Sequence, residues 1–190
     1  IIIRPILQIK DMFLGLNVLP SNSESISTAP NRDRVWVKVA EEVQKIVHKI
    51  LIEKYLKKAE ESILGKQPSK SLIYCEEAIN IDNTVSISFF TKGNALYHLE
   101  KYEEALESYK KAIELNPKEA SYYAKIGDIL CNRLKFQKEA LESYKKAIEL
   151  NPKEASYYAK IGDILAIFMK KPKEALESYK KAIELNPKEA

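Results

Sequence analysis

The sequence predicts an all-α protein built as an array of helix-turn-helix repeats, and three observations lead there. Only 5 of 190 residues are Gly, and the 31% charged and 45% hydrophobic fractions are dominated by Ala, Leu, Ile, Glu and Lys, which favour helix over sheet. The stretch EALESYKKAIELNPKEA begins at Glu104, returns at Glu139 and returns again at Glu174. Pro117, Pro152 and Pro187 are 35 residues apart, as are Tyr109, Tyr144 and Tyr179. A fixed period of this size marks an array of stacked supersecondary units.

Residues 1–33 stand apart as an apolar segment followed by a linker. In IIIRPILQIKDMFLGLNVL, Arg4, Gln8, Lys10 and Asp11 interrupt every run long enough to cross a bilayer. The positive charge does not precede an unbroken apolar core, as it would in a signal peptide. The segment suits a strand of another domain, a docking peptide or a flap over the repeats. PSNSESISTAP has the Ser, Asn and Pro content of a turn-rich loop. A first residue of Ile instead of Met reads as a processed or partial chain.

Val35 to Leu64 contains neither Gly nor Pro, and Trp36, Val39, Val43, Ile46, Val47, Ile50 and Tyr55 keep helical spacing. One long helix is expected, with residues 34–51 capping the N-terminal end of the array and its second half opening the first repeat. That repeat, 52–85, is degenerate. Tyr55 and Ala59 hold the bulky and small positions of its first helix, while Ser71, Cys75 and Asn83 stand where later units have Ala, Tyr and Pro.

The later units, 86–119, 120–154 and 155–190, each carry two helical patterns. In the second, Ala105, Leu106, Tyr109, Ala112 and Ile113 form an apolar stripe opposite Glu107, Lys110, Lys111 and Glu114. Glu107 with Lys111 and Lys110 with Glu114 are expected ion pairs of about 0.2–0.5 kcal/mol each. Asn116-Pro117 stops that helix, because the residue before Pro avoids α geometry, and Pro suits the opening turn of the next helix. The first pattern follows through Ala120, Tyr123, Ile126, Gly127 and Leu130. Gly93 to Ala105 spans 12 residues, whereas Gly127 to Ala140 and Gly162 to Ala175 span 13. The extra residue is therefore expected in the turn between the two helices.

These positions resemble the tetratricopeptide repeat family. Its signature of a bulky residue, an aliphatic residue, Gly and an aromatic, then Ala, an aromatic, Ala and Pro, is met by Phe89, Gly93, Ala105, Tyr109, Ala112 and Pro117. Tyr123, Ile126, Gly127, Ala140, Tyr144, Ala147 and Pro152 meet it in the next unit, and Tyr158, Ile161, Gly162, Ala175, Tyr179, Ala182 and Pro187 in the last. The resemblance implies a right-handed α-solenoid whose concave surface, lined by the first helices, binds peptides or protein segments. On that face it places Leu56 and Glu60, then Phe90, Asn94 and Tyr97, then Ser121, Ala124, Lys125 and Asp128, then Ser156, Ala159, Lys160 and Asp163.

A hydrophobic ligand side chain is expected near Phe90 and Tyr97, with Asn94 bonding the ligand backbone; the alternative is that both aromatics pack between repeats. Co-chaperone members of the family clamp a C-terminal carboxylate with two Lys, two Asn and an Arg. Asn94 matches one Asn, but Phe90, Lys125 and Ser156 occupy a Lys, an Asn and a Lys position, so that clamp is not expected.

Nothing in the sequence assembles catalytic chemistry. His48 and His98 lack the spacing of a zinc site, nucleophile elbow or phosphate loop. Cys75 and Cys131, remote in sequence and outside any CxxC, read as small apolar packing residues, and their scarcity fits a reducing, cytoplasmic setting. The net charge of +4 comes from interleaved signs, unlike the one-sided basic face of a nucleic-acid binder. The expectation is a noncatalytic scaffold without cofactor, metal, nucleic acid or membrane span, whose partner is a protein or peptide segment. The alternatives are a head-to-tail array, self-associating through the C-terminal end where Ala182 and Ile183 lack a following repeat, and a regulatory or targeting arm of an enzyme whose catalytic domain is absent.

Overall fold

The computed structural model describes residues 32–133 and 135–187 of the chain. The N-terminal apolar segment and most of its linker lie outside the described residues. Among the described residues there are eight α-helices and no strand: α1 (Arg32–Leu64), α2 (Pro68–Ile81), α3 (Ser86–His98), α4 (Tyr102–Leu115), α5 (Ala120–Asn132), α6 (Gln137–Leu150), α7 (Ala155–Asp163) and α8 (Pro172–Leu185). A π-helical turn, Ile164–Phe168, extends α7. The chain forms two compact units, 1–51 and 52–190. The first is represented by the opening part of α1.

In the second unit, consecutive helices form antiparallel hairpins, α3 with α4, α5 with α6, and α7 with α8, each packed on the next. The hairpins close because the apolar stripes of the copied helices are buried. Ala105, Ala112, Ala140 and Ala147 have no exposed surface, and Tyr109 and Tyr144 are 1% and 2% exposed. Their charged faces remain in water, as the sequence pattern requires. The ion pairs differ in register from expectation: Lys111 meets Glu114 at 2.8 Å, Lys146 meets Glu149 at 2.7 Å and Lys181 meets Glu184 at 3.0 Å, all three residues apart. Both i+3 and i+4 neighbours lie within reach on an exposed helix face, and the energetic difference between them is small.

A glycine and a tyrosine join the two helices of each full hairpin. A Cβ added at Gly93 would stand 2.5 Å from the Tyr109 ring, one at Gly127 2.8 Å from Tyr144, and one at Gly162 2.5 Å from Tyr179. The ring lies directly on the backbone of the first helix, so any Cβ there would force the ring to move. In the degenerate hairpin both partners change together. Ala59 replaces Gly, Cys75 replaces Tyr, and both are fully buried. A smaller residue thus stands at each of the two positions that glycine and the ring occupy elsewhere.

The extra residue of the last two units does not simply lengthen the turn. In the shorter units the first helix closes with a bond spanning five residues, Gln67 N–H to Ser62 carbonyl and Lys101 N–H to Leu96 carbonyl. In the longer ones the bond spans six, Phe136 N–H to Leu130 and Lys171 N–H to Leu165, at 2.7 and 2.9 Å. The last turn of the helix widens, into π geometry at Ile164–Phe168. All four turns then reverse through one left-handed residue, Lys66, Glu100, Lys135 or Lys170, with φ of 57°, 59°, 64° and 55°. The left-handed residue keeps its place two positions before the second helix.

Two expected outcomes test the ring-on-backbone contact. Cys75→Tyr lowers stability by about 1–3 kcal/mol through overpacking, and adding Ala59→Gly recovers most of it, measured as non-additivity in chemical denaturation. Gly127→Ala is destabilising by roughly 1–2 kcal/mol, because the clash with buried Tyr144 exceeds the helix-propensity gain of Ala. Gly162→Ala is near neutral, because the partly exposed Tyr179 has room to move.

Candidate functional site

The residue after each of these glycines receives the tyrosine hydroxyl. Tyr109 donates to Asn94 Oδ1 at 2.7 Å, Tyr144 to Asp128 Oδ1 at 2.6 Å and Tyr179 to Asp163 Oδ1 at 2.9 Å. Burial, and for Tyr144 the Asp128 carboxylate, push the Tyr109 and Tyr144 phenols well above their ordinary range. These hydroxyls stay protonated and act as fixed donors. Asn94, Asp128 and Asp163 are thereby held in position on three successive first helices. Asn94 keeps its amide N–H groups as donors, and each Asp keeps a second carboxylate oxygen.

Around the first two of these residues lies a cavity of about 480 Å³, lined by Glu60, Ile63 and Leu64 of α1, Asn94, Tyr97 and His98 of α3, Tyr109 of α4, and Lys125 and Asp128 of α5. Five of the residues placed on the concave face from sequence meet here: Glu60, Asn94, Tyr97, Lys125 and Asp128. Lys125 Nζ lies 3.9 Å from Asp128 Oδ2 and remains half-exposed. Tyr97 is set by edge contacts to His98 and Tyr102, with ring centroids 5.7 and 5.8 Å away. The Arg133 guanidinium lies 5.6 Å from the Tyr97 centroid and 5.4 Å from that of Tyr102, a cation–π contact from the following repeat.

Other expected groove residues have structural roles. Leu56 is 8% exposed and packs with Ile52 and Ala78, so it belongs to the core and does not extend the groove. Phe90, partly exposed, stacks on Tyr122 at 4.8 Å and tilts against Tyr109 at 5.6 Å, contacts that pack it between repeats. Ala124 is 9% exposed. The Ser121 and Ser156 hydroxyls donate to Glu119 and Glu154 at 2.9 and 2.7 Å, where their helices begin. Ser156 and Ala159 line a separate cavity at the last hairpin. Lys160 is exposed and Asp163 half-buried beside Tyr179.

Sequence reasoning missed Ile63, Leu64 and His98. The signal was present, since they lie three or four residues beyond Glu60 and Asn94 on the same helical faces. Burial pushes the Cys75 thiol up to about 11 and raises that of Cys131, which keeps both protonated and unreactive at neutral pH. Among the described residues no acidic, His or Cys cluster could hold a metal ion, and no helix is long and apolar enough to cross a membrane.

The comparisons agree with this construction. A sequence profile described as TPR repeat matches residues 93–132 and 137–166, and one described as tetratricopeptide repeat matches 155–189. No curated protein matches the chain. Among solved structures, a crystal structure of MamA is similar with a TM-score of 0.66 at 24% identity, covering 83% of this chain and 93% of that one. An O-GlcNAc transferase mutant from Thermobaculum terrenum matches with a TM-score of 0.65 at 20% identity, over 72% of this chain and 26% of the transferase. The first TPR of Spaghetti (RPAP3), bound to the HSP90 peptide SRMEEVD, matches with a TM-score of 0.52 at 25% identity, over 56% and 83% of the two chains. With the Gly–Tyr hairpins, the 34- and 35-residue period and the solenoid architecture in agreement, this chain belongs to the tetratricopeptide repeat family.

Proposed function

We infer that the protein is a noncatalytic scaffold that binds an extended segment of a partner protein in the concave cavity between α1, α3 and α5. The observation that carries this reading is the convergence of Glu60, Asn94, Tyr97, Lys125 and Asp128, from three successive first helices, on one 480 Å³ cavity. Its wall offers what a peptide requires. Ile63, Leu64 and the Tyr97 ring accept an apolar side chain. The Asn94 amide donates to a backbone carbonyl, Asp128 and Glu60 accept from N–H groups, and Lys125 meets an acidic group.

The TPR of RPAP3 is solved with an HSP90 peptide, which supports a peptide as the ligand class. The ligand's end group differs, however. Phe90 packs against Tyr109 and Tyr122, and no lysine stands in its place to hold a terminal carboxylate. An internal segment, read by one apolar side chain and its backbone, fits the cavity better than a free carboxy terminus.

The test is selection of peptides from a random display library on the purified chain, followed by binding to variants. Lys125→Glu and Glu60→Lys are expected to weaken the selected peptides at least about tenfold, roughly 1.4 kcal/mol or more. Lys145→Glu on the copied second helix leaves them unchanged. Phe90→Ala is unsuitable as a probe, because it opens a hole between repeats. Peptides that bind all these variants equally would show that the cavity is not the site.

A further inference from the structure

The two widened turns carry apolar side chains that the core does not take up. Phe136 is 52% exposed, Ile167 65% and Phe168 42%. These turns are neighbours. The π-helical turn Ile164–Phe168 packs against α6, whose first residue follows Phe136. Ile164 and Leu165 share a core with Ala140 and Leu141 of that helix, while Ile167 and Phe168 remain in water. A side chain at this position carries back to the preceding turn, as Arg133, 35 residues before Phe168, does in reaching the rings of Tyr97 and Tyr102.

The same turns hold the chain's charge imbalance. Of its 31 basic and 27 acidic residues, 131–139 and 166–174 contain Arg133, Lys135, Lys138, Lys170, Lys171 and Lys173 against Glu139 and Glu174. The remaining 25 of each sign cancel, so the formal net charge of +4 resides here. Lys171 meets Glu174 at 2.9 Å. Lys135, Lys138, Lys170 and Lys173 are exposed and form no ion pair among the described residues. The turn between α3 and α4 differs on both counts. It sets Glu100, Glu103 and Glu104 against Lys101, and its Leu99 and Tyr102 are partly buried.

Apolar tips ringed by unpaired lysines suit one kind of surface better than others. A protein partner seats its anchors in shaped pockets, and such interfaces are depleted in lysine. A phosphate backbone offers nothing to an aliphatic tip such as Ile167. The boundary of an anionic bilayer accepts apolar side chains without a matching shape, and the lysine stems lie along it with their ammonium groups among the headgroups. We propose that the turns 131–139 and 166–174 form a peripheral docking surface for an anionic membrane, with Phe136, Ile167 and Phe168 entering the headgroup boundary. This surface is distinct from the concave cavity and does not depend on it.

The experiment is cosedimentation of the full chain with vesicles of phosphatidylcholine alone, or of phosphatidylcholine and phosphatidylglycerol in equal parts. Binding is expected to the mixed vesicles and to be at least about tenfold weaker to the neutral ones. Lys135→Glu with Lys170→Glu weakens it roughly tenfold or more, since each lysine near such a surface contributes a factor of about five. Ile167→Ser with Phe168→Ser weakens it by a similar factor without changing the charge. Phe136→Ser, on the other turn, gives a smaller loss in the same direction and does not touch the last hairpin. Lys110→Glu with Lys145→Glu, on the copied second helices, removes the same charge elsewhere and leaves binding unchanged. The proposal is overturned if the mixed vesicles bind no better than the neutral ones, an outcome that points to an acidic protein surface as the occupant. It is equally overturned if the Lys110 and Lys145 variant loses as much as the Lys135 and Lys170 variant, or if the serine variants of both turns bind as the parent chain does.

Discussion

The structure depends on an aromatic ring resting on a bare stretch of backbone. Gly93, Gly127 and Gly162 let Tyr109, Tyr144 and Tyr179 approach closer than any Cβ permits. Each hairpin is fixed at that point, and the phenol reaches through to Asn94, Asp128 or Asp163. One contact therefore fixes the two helices of a hairpin and also orients a polar group on the first of them. The degenerate hairpin has smaller residues at the matching positions, Ala59 and Cys75, both buried. Glu60, next in sequence, has no phenol to hold it, so the carboxylate at this end of the cavity is less constrained than Asp128.

Much of this was legible without coordinates, because it repeats. The 35-residue period, the apolar stripe through Tyr109 and Ala112, and the Asn-Pro stops each follow from local rules that act within a few residues. The concave residues were only partly legible, for a physical reason. Spacing identifies the face of a helix, but whether a residue on that face lines the groove or is buried depends on the neighbouring repeat. Leu56 and Phe90 share a face with Glu60 and Asn94, yet Leu56 is in the core and Phe90 stacks on Tyr122 of the following repeat. The tyrosine hydroxyl bonds were equally out of reach, since they join residues 15 or 16 apart through a crossing that only packing determines.

The distribution of identical and variable sequence has a functional meaning under this geometry. The copied second helices supply buried Ala and Tyr on one side and paired Lys and Glu on the other, and neither side leaves room for discrimination. Differences collect in the first helices of the earlier units, where Glu60 and Tyr97 stand, and in the turns, where Arg133 stands. A long sequence identity between repeats thus marks the supporting framework, and its interruptions mark where one hairpin differs from the next.

The widened turns at 130–136 and 165–171 have a further consequence for assembly of the native state. Residues 120–154 and 155–189 differ only between Cys131 and Gln137 and the corresponding Ala166 to Pro172, so during folding their hairpins compete for one another's docking faces with nearly equal energy. Such degeneracy invites errors in the order in which hairpins dock, including exchange of hairpins between chains. Only the turn sequences break the symmetry, through the π-helical closure at Ile164–Phe168 and the Arg133 contact to Tyr97 and Tyr102. Those few residues act as the address labels of otherwise interchangeable parts.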